Sequence, residues 1–197
     1  MNTIKVENYF SIGIALAKKD YWTIFLNYLV YCLIAALASL TIIGVFVVPA
    51  IFVGYTRFLL RAARGEPVSV GDGLSEGFKN GLWWKSLFFF FLFLVGYFLG
   101  FMLCILPGLY LLVVWSLGFY LLVDKDMLPT DALSKSRELV HQLGFWKVAI
   151  VIFTLQIISN VIAYIPIAGL IAIFFLVPFM NMIYVAVYES AINRSTN

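Results

Sequence analysis

Long apolar stretches without a charged residue alternate with short polar segments along this chain. The uncharged stretches cover residues 21–56, 86–123 and 148–188. About 20 helical residues cross a hydrocarbon core of ~30 Å, so each stretch is too long for one crossing and long enough for two. Helix-breaking residues lie near the middle of each stretch: Gly44, Pro107 with Gly108, and Pro166 with Gly169. Each stretch therefore predicts a hairpin of two membrane-spanning helices.

The predicted fold is an all-α membrane protein in a single domain over residues 1–197. We place its six membrane-spanning helices at about 22–43, 45–64, 84–105, 108–125, 146–165 and 168–190. Composition agrees, because 63% of the residues are hydrophobic and 12% are charged, whereas soluble domains have roughly 45–50% apolar and about 25% charged residues. A soluble core of this size could not bury so much apolar surface.

The hairpins recur with a fixed spacing. Trp22, Trp84 and Trp146 are each 62 residues apart, and so are Pro67 and Pro129. The spacing predicts three repeats of a short connecting segment, an interfacial tryptophan and an apolar hairpin. The repeat units cover about residues 5–66, 67–128 and 129–190.

The connecting segments are predicted to be short amphipathic helices on one side of the membrane. After Thr130, a suitable N-cap, the apolar residues Leu139 and Leu143 share a face that Lys135 and Glu138 do not. In the middle connector, Val70, Leu74, Phe78 and Leu82 have fourfold spacing, but four glycines weaken the helix.

Charge placement predicts the topology. Lysine, arginine, aspartate and glutamate occur in the N-terminal segment, the two connectors with their flanks, and the C-terminal segment, and the three hairpin turns have none. By the positive-inside rule, both termini and the connectors should be cytoplasmic in a multi-pass protein of the inner (cell) membrane. Trp22, Trp83, Trp84, Trp146, Tyr184 and Tyr188 would form an aromatic belt at that interface.

Two parts of the sequence resemble a known group. They are Leu121–Asp126 with the downstream residues Pro129, Ala132, Leu133, Ser136, Leu139 and Phe145–Lys147, and Gly54-Tyr55 with Arg57–Gly65. Both are similar to a group of six-helix bacterial and archaeal membrane proteins, mostly of unknown function, related to the membrane domain of glycerophosphoryl diester phosphodiesterases. The resemblance covers nearly the whole chain and implies the fold. It implies no phosphodiesterase activity, because this chain has no room for that soluble domain.

Arg57, Arg61 and Arg64 form the first candidate site. Their i, i+4, i+7 spacing places them on one face at the charged end of the second predicted helix. That face could bind an anionic lipid headgroup or the carboxylates of a partner protein. The alternative is that the arginines set topology and extend to the interface without a ligand.

Polar residues within the apolar stretches form the second candidate site. Asn27, Gln156 and Asn160 are amides, and the last two share a helix face because they are four residues apart. They could line a polar path, or they could hydrogen-bond between helices. Asp124, Asp126 and Asp131 cluster where the fourth helix ends, and ion pairing or capping is favoured over a metal site there.

We expect neither a catalytic site nor a metal or cofactor, because the sequence has no HExxH, phosphate-loop or nucleophile-elbow motif. The favoured function is a non-enzymatic membrane accessory or scaffold protein, or a lipid-interacting module. The alternative is a small transporter or channel with a polar path near Asn27, Gln156 and Asn160. The expected partners are membrane lipids, including anionic ones, and other membrane proteins, but no nucleic acid.

Overall fold

The computed structural model describes residues 6–41, 44–103, 105–165 and 168–195, and these ranges contain helices, turns and bends but no strand. The helices are α1 (Val6–Lys19), α2 (Tyr21–Ser39), α3 (Gly44–Ala63), α4 (Leu82–Leu103), α5 (Ile105–Val114), α6 (Gly118–Lys125), α7 (Pro129–Leu143), α8 (Phe145–Ala163) and α9 (Ala168–Ser195). A short 3-10 helix, Glu76–Gly81, precedes α4.

Six segments of this structure are long and apolar enough to cross a membrane. They are α2, α3, α4, the pair α5 and α6, α8, and α9. Large apolar side chains such as Phe91, Leu94 and Phe98 of α4 are exposed on the outside of the bundle, where lipid is the matching solvent. The predicted all-α, six-helix, multi-pass membrane fold is confirmed.

The hairpin turns lie close to the predicted breakers, with small shifts. Gly44 begins α3, whereas Pro107 lies in the first turn of α5, where a proline costs no helical hydrogen bond. Gly169 is the second residue of α9, and Pro166 lies outside the described residues. Pro49 and Pro178 are inside α3 and α9.

The fourth span, predicted as one helix over 108–125, is broken at residues 115–117. The hydroxyl of Ser136, on the buried face of α7, accepts a hydrogen bond from the Leu117 N–H (3.2 Å) and donates to the Val114 carbonyl (2.7 Å). Ser136 therefore satisfies backbone groups that the break leaves without helical partners. The break depends on this contact between distant segments, so helical periodicity could not predict it.

The middle connector is not an α-helix. Gly71, Gly73 and Gly81 have φ values of 89°, 92° and 70°, which glycine adopts readily and other residues rarely do. The segment instead forms turns and the 3-10 helix, and it packs along α3. A Cβ on Gly54 would overlap the Gly73 carbonyl, and one on Gly77 would overlap that of Ala50. Glycine is therefore needed where these two backbones touch.

The three connecting segments pack in a common way. Each contacts the second helix of a hairpin: the middle connector lies on α3, α7 lies on α6, and α1 lies on α9. Gly13 of α1 sits so close to α9 that an added Cβ would be 2.5 Å from the Ile183 Cα. Since α1 precedes the first hairpin and α9 ends the third, their contact closes the three hairpins into a ring.

The repeated tryptophans occupy matching places in the hairpins. Trp22 is the second residue of α2, Trp84 the third of α4 and Trp146 the second of α8. All three are exposed. Superposition of the three hairpins stays a prediction.

Candidate functional site

A cavity of about 650 Å³ lies at the centre of the ring. All six membrane spans contribute to its lining, which is dominated by aromatic side chains. These are Tyr28, Tyr31, Phe52, Tyr55, Phe89, Phe90, Phe93, Trp115, Phe119, Tyr120 and Tyr184. The aromatic residues of three hairpins thus converge on one space.

The cavity is apolar with a few uncharged polar groups. Among its described lining residues there is no aspartate, glutamate, lysine, arginine or histidine. Its polar groups include Gln156 and the amide of Asn181, whose nitrogen donates to the Tyr55 hydroxyl at 3.1 Å. Such a lining suits an apolar molecule held by a small number of hydrogen bonds.

Two phenylalanine rings form the side of the cavity between α3 and α4. Phe52 and Phe90 line it, and their ring centroids are 6.1 Å apart. Both side chains are also exposed and line a second depression on the outer surface of the bundle. These two rings therefore lie between the cavity and the outer surface of the bundle.

The three predicted intramembrane amides do not form a continuous row. Gln156 lines the central cavity, whereas the Asn160 side chain donates to the Gln156 backbone carbonyl (2.7 Å) within α8. Asn27 is fully buried and its side-chain oxygen accepts a hydrogen bond from the Gly71 N–H of the middle connector (2.8 Å). Its side-chain nitrogen has no partner among the described residues. Asn27 therefore anchors the connector.

An ion-pair cluster on the charged side joins the second helices of the three hairpins. Arg64, directly after α3, makes a two-pronged bond to Asp124 at the end of α6 (2.6 and 2.9 Å). Its Nε donates to Glu189 of α9 at 2.9 Å. The Asp124 side chain is 7% exposed, and its hydrogen bonds to Arg64 are the main reason that the pKa of Arg64 is raised. We name Arg64, Asp124, Tyr188 and Glu189 the ion-pair cluster.

The ion-pair cluster contacts the cavity lining through tyrosines. Tyr188 donates from its hydroxyl to Asp124 (2.8 Å) and stacks on Tyr120, with ring centroids 5.5 Å apart. Tyr120 lines the cavity. Tyr188 is fully buried, so its predicted place in the aromatic belt was wrong. The cluster closes the charged side of the ring above the cavity.

The other two predicted arginines are also paired within the chain. Arg57 donates through Nη1 to Glu76 of the 3-10 helix, and the Nε of Arg61 donates to Glu66 at 3.0 Å. With Arg64, they line a pocket of about 330 Å³, which we name the arginine pocket. Its remaining lining residues are Leu60, Gly73, Glu76, Val123 and Asp124. The helical spacing thus placed the three arginines correctly on one surface, but the carboxylates come from distant segments.

Two of the three clustered aspartates are separated by their partners, and Asp131 lies in the first turn of α7. Asp124 belongs to the ion-pair cluster, and Asp126 pairs with Lys85 at 2.8 Å. In the described ranges, no group of three or more His, Cys, Asp or Glu side chains is placed to hold a metal ion. Ion pairing, the favoured interpretation of Asp124 and Asp126, is what the structure shows.

Comparison with known proteins identifies no relative, since no family model, curated protein or solved structure matches this chain.

Proposed function

We propose that the protein is a non-enzymatic membrane protein that acts as a lipid-interacting module and binds an apolar, lipid-derived molecule in its central cavity. The observation that carries this proposal is the cavity itself, with its aromatic lining and with Phe52 and Phe90 between it and the outer surface. Its volume of about 650 Å³ lies within the range of about 300–1,000 Å³ for small-molecule sites.

An empty cavity of this size would be costly. Side chains that line an empty space lose van der Waals contacts, and the loss grows with the volume of the space. Water is a poor filler, because it needs two to four polar partners and this lining is mostly carbon. A hydrocarbon chain from the bilayer satisfies the lining without that cost.

The charged side of the molecule is proposed to face the cytoplasm of the cell membrane. There its basic residues would contact anionic lipids or other membrane proteins. A transport path through Asn27, Gln156 and Asn160 has less support, because only Gln156 lines the cavity and Asn27 is engaged with the connector.

A pair of neighbouring alanines in α2 allows a direct test. Ala35 lines the cavity, whereas Ala36 is exposed on the outer surface of the same helix. Ala35→Phe places a phenyl ring in the cavity, and Ala36→Phe adds the same ring towards lipid. Native mass spectrometry of the purified proteins should show a bound apolar lipid in the wild type and Ala36→Phe, and its loss in Ala35→Phe. Equal lipid retention by the two variants would contradict the proposal.

A further inference from the structure

The central cavity and the arginine pocket adjoin each other along the seam between α3 and α6. In α3, Thr56 lines the cavity and Leu60, four residues on, lines the arginine pocket. In α6, Tyr120 lines the cavity and Val123 lines the arginine pocket. Residues three or four apart share a helix face. Leu59 of the cavity and Leu60 of the arginine pocket are adjacent in sequence, so the partition between the two spaces consists of side chains.

Small apolar side chains fill this partition. Leu60 is 2% exposed and Val123 is fully buried, and neither carries a polar atom in its side chain. Aliphatic side chains can change rotamers without breaking a hydrogen bond. A hydrocarbon chain could thus take the place between them, whereas an ion or a headgroup would be desolvated there.

The arginine pocket has hydrogen-bond donors to spare. Within the described part of the chain, Arg57 is bonded through Nη1 alone, and Arg61 through Nε and a long contact from Nη2 to the Pro67 carbonyl (3.5 Å). Arg64, in contrast, is held by Asp124 and Glu189 through all three of its nitrogens. Each of the three arginines is already paired with a carboxylate, so an added ligand would be bound by the remaining N–H donors of Arg57 and Arg61. Guanidinium groups in this arrangement favour a phosphate or carboxylate.

We infer that the two spaces form one site for an anionic amphiphile with a single hydrocarbon chain, a lipid phosphate or fatty acid. Its headgroup would bind Arg57 and Arg61 in the arginine pocket, and its chain would pass between Leu60 and Val123 into the aromatic cavity. Arg64 keeps a structural role in the ion-pair cluster. The inference rests on the proposed function, because it assigns the headgroup of the molecule whose chain fills the cavity.

Three probes separate the two halves of the site. Oleoyl lysophosphatidic acid carries both headgroup and chain, oleyl alcohol carries the chain with an uncharged end, and inorganic phosphate carries the charge alone. Affinities would be measured by titration in detergent with native mass spectrometry as the readout of stoichiometry. The variants are Ala35→Phe, with Ala36→Phe as control, and Arg57→Gln/Arg61→Gln. Arg137→Gln changes an exposed arginine of α7 and is the control for charge.

We expect one lysophosphatidic acid per chain. Each basic residue near such a headgroup is worth about 1 kcal/mol, so Arg57→Gln/Arg61→Gln should weaken its binding about 25-fold. Ala35→Phe should weaken it at least about fivefold, because overpacking of this kind typically costs 1–3 kcal/mol. The affinity for oleyl alcohol should fall in Ala35→Phe and stay unchanged in Arg57→Gln/Arg61→Gln. Ala36→Phe and Arg137→Gln should bind both lipids as the wild type does.

Other outcomes have distinct meanings. If the two lipids bind with equal affinity and only Ala35→Phe weakens their binding, the headgroup assignment is overturned and the proposed function stands. If phosphate and lysophosphatidic acid depend on the arginines but not on Ala35, the arginine pocket is a separate anion site and the inference is wrong. If Ala35→Phe changes neither lipid, the proposed function fails as well. Ala35→Leu, a smaller change, replaces Ala35→Phe if that variant does not fold.

Discussion

Asp124 should be the most important single carboxylate for stability, and Asp124→Asn tests this. The change keeps the shape of the side chain and removes the charge that Arg64 binds through two nitrogens. Removing one partner of a buried ion pair typically costs 3–5 kcal/mol. Arg64 is 35% exposed and retains Glu189, so we expect a smaller loss, about 2 kcal/mol. Such a loss lowers the Tm of a chain of this length by about 4–8 °C.

A matched control lies two residues further along the chain. Asp126 pairs with Lys85, but its side chain is 41% exposed, and exposed pairs contribute about 0–1 kcal/mol. Asp126→Asn should therefore lower the Tm by no more than about 2–4 °C. Thermal unfolding in detergent, followed by circular dichroism, measures both variants. Arg64→Gln combined with Asp124→Asn should lose no more stability than the worse single change, because the two residues act as one pair.

Equal effects of Asp124→Asn and Asp126→Asn would refute this reasoning. So would a fully additive double change, since it would mean that Arg64 and Asp124 stabilise the ring independently.

Three further predictions concern the fold and its topology. Ser136→Ala should cost about 1–3 kcal/mol, because the backbone groups at the break between α5 and α6 lose their partner; chemical unfolding in detergent measures the loss, and an unchanged midpoint would contradict it. Gly13→Ala should displace α1 from α9, since the new Cβ would be 2.5 Å from the Ile183 Cα, and faster hydrogen exchange in α1 alone is the expected signature. Cysteines introduced at positions 72 and 135 should react with a membrane-impermeant maleimide only after the cells are opened, and labelling of intact cells would reverse the proposed topology.

The membrane spans could be predicted from the sequence because lipid selects for them directly. A crossing needs about 20 apolar helical residues, and this requirement is visible without any tertiary information. The shared surface of Arg57, Arg61 and Arg64 was also predictable, because residues three or four positions apart lie on one face of a helix. The middle connector shows the limit of periodicity, because the positive φ angles of its glycines outweigh the fourfold spacing of its apolar residues.

The candidate site could not be predicted, because it depends on how the hairpins pack. Arg64 and Asp124 are 60 residues apart, and Tyr188 is 64 beyond Asp124. Their meeting follows from the ring of hairpins, which no local pattern specifies. The aromatic lining of the cavity could not be predicted either. An aromatic residue in an apolar stretch can face lipid, a neighbouring helix or a cavity, and the sequence pattern is the same in all three cases. The partner of Asn27 was hidden for a related reason: Gly71 lies in a connector that folds back onto α2.

Fluorescence of Trp115 is the most direct measure of the central claim that the cavity holds a lipid-derived molecule. Trp115 lines the cavity, whereas Trp22, Trp83, Trp84 and Trp146 are exposed and can be replaced by phenylalanine. In that single-tryptophan protein, a dibrominated long-chain alcohol should quench the fluorescence of Trp115. The quenching should reach a plateau while the alcohol is still a minor component of the detergent micelle. Adding Ala35→Phe should abolish the saturable phase and Ala36→Phe should preserve it. Quenching that rises linearly with the brominated lipid, and equally in both variants, would show that Trp115 meets only bulk lipid and would contradict the account.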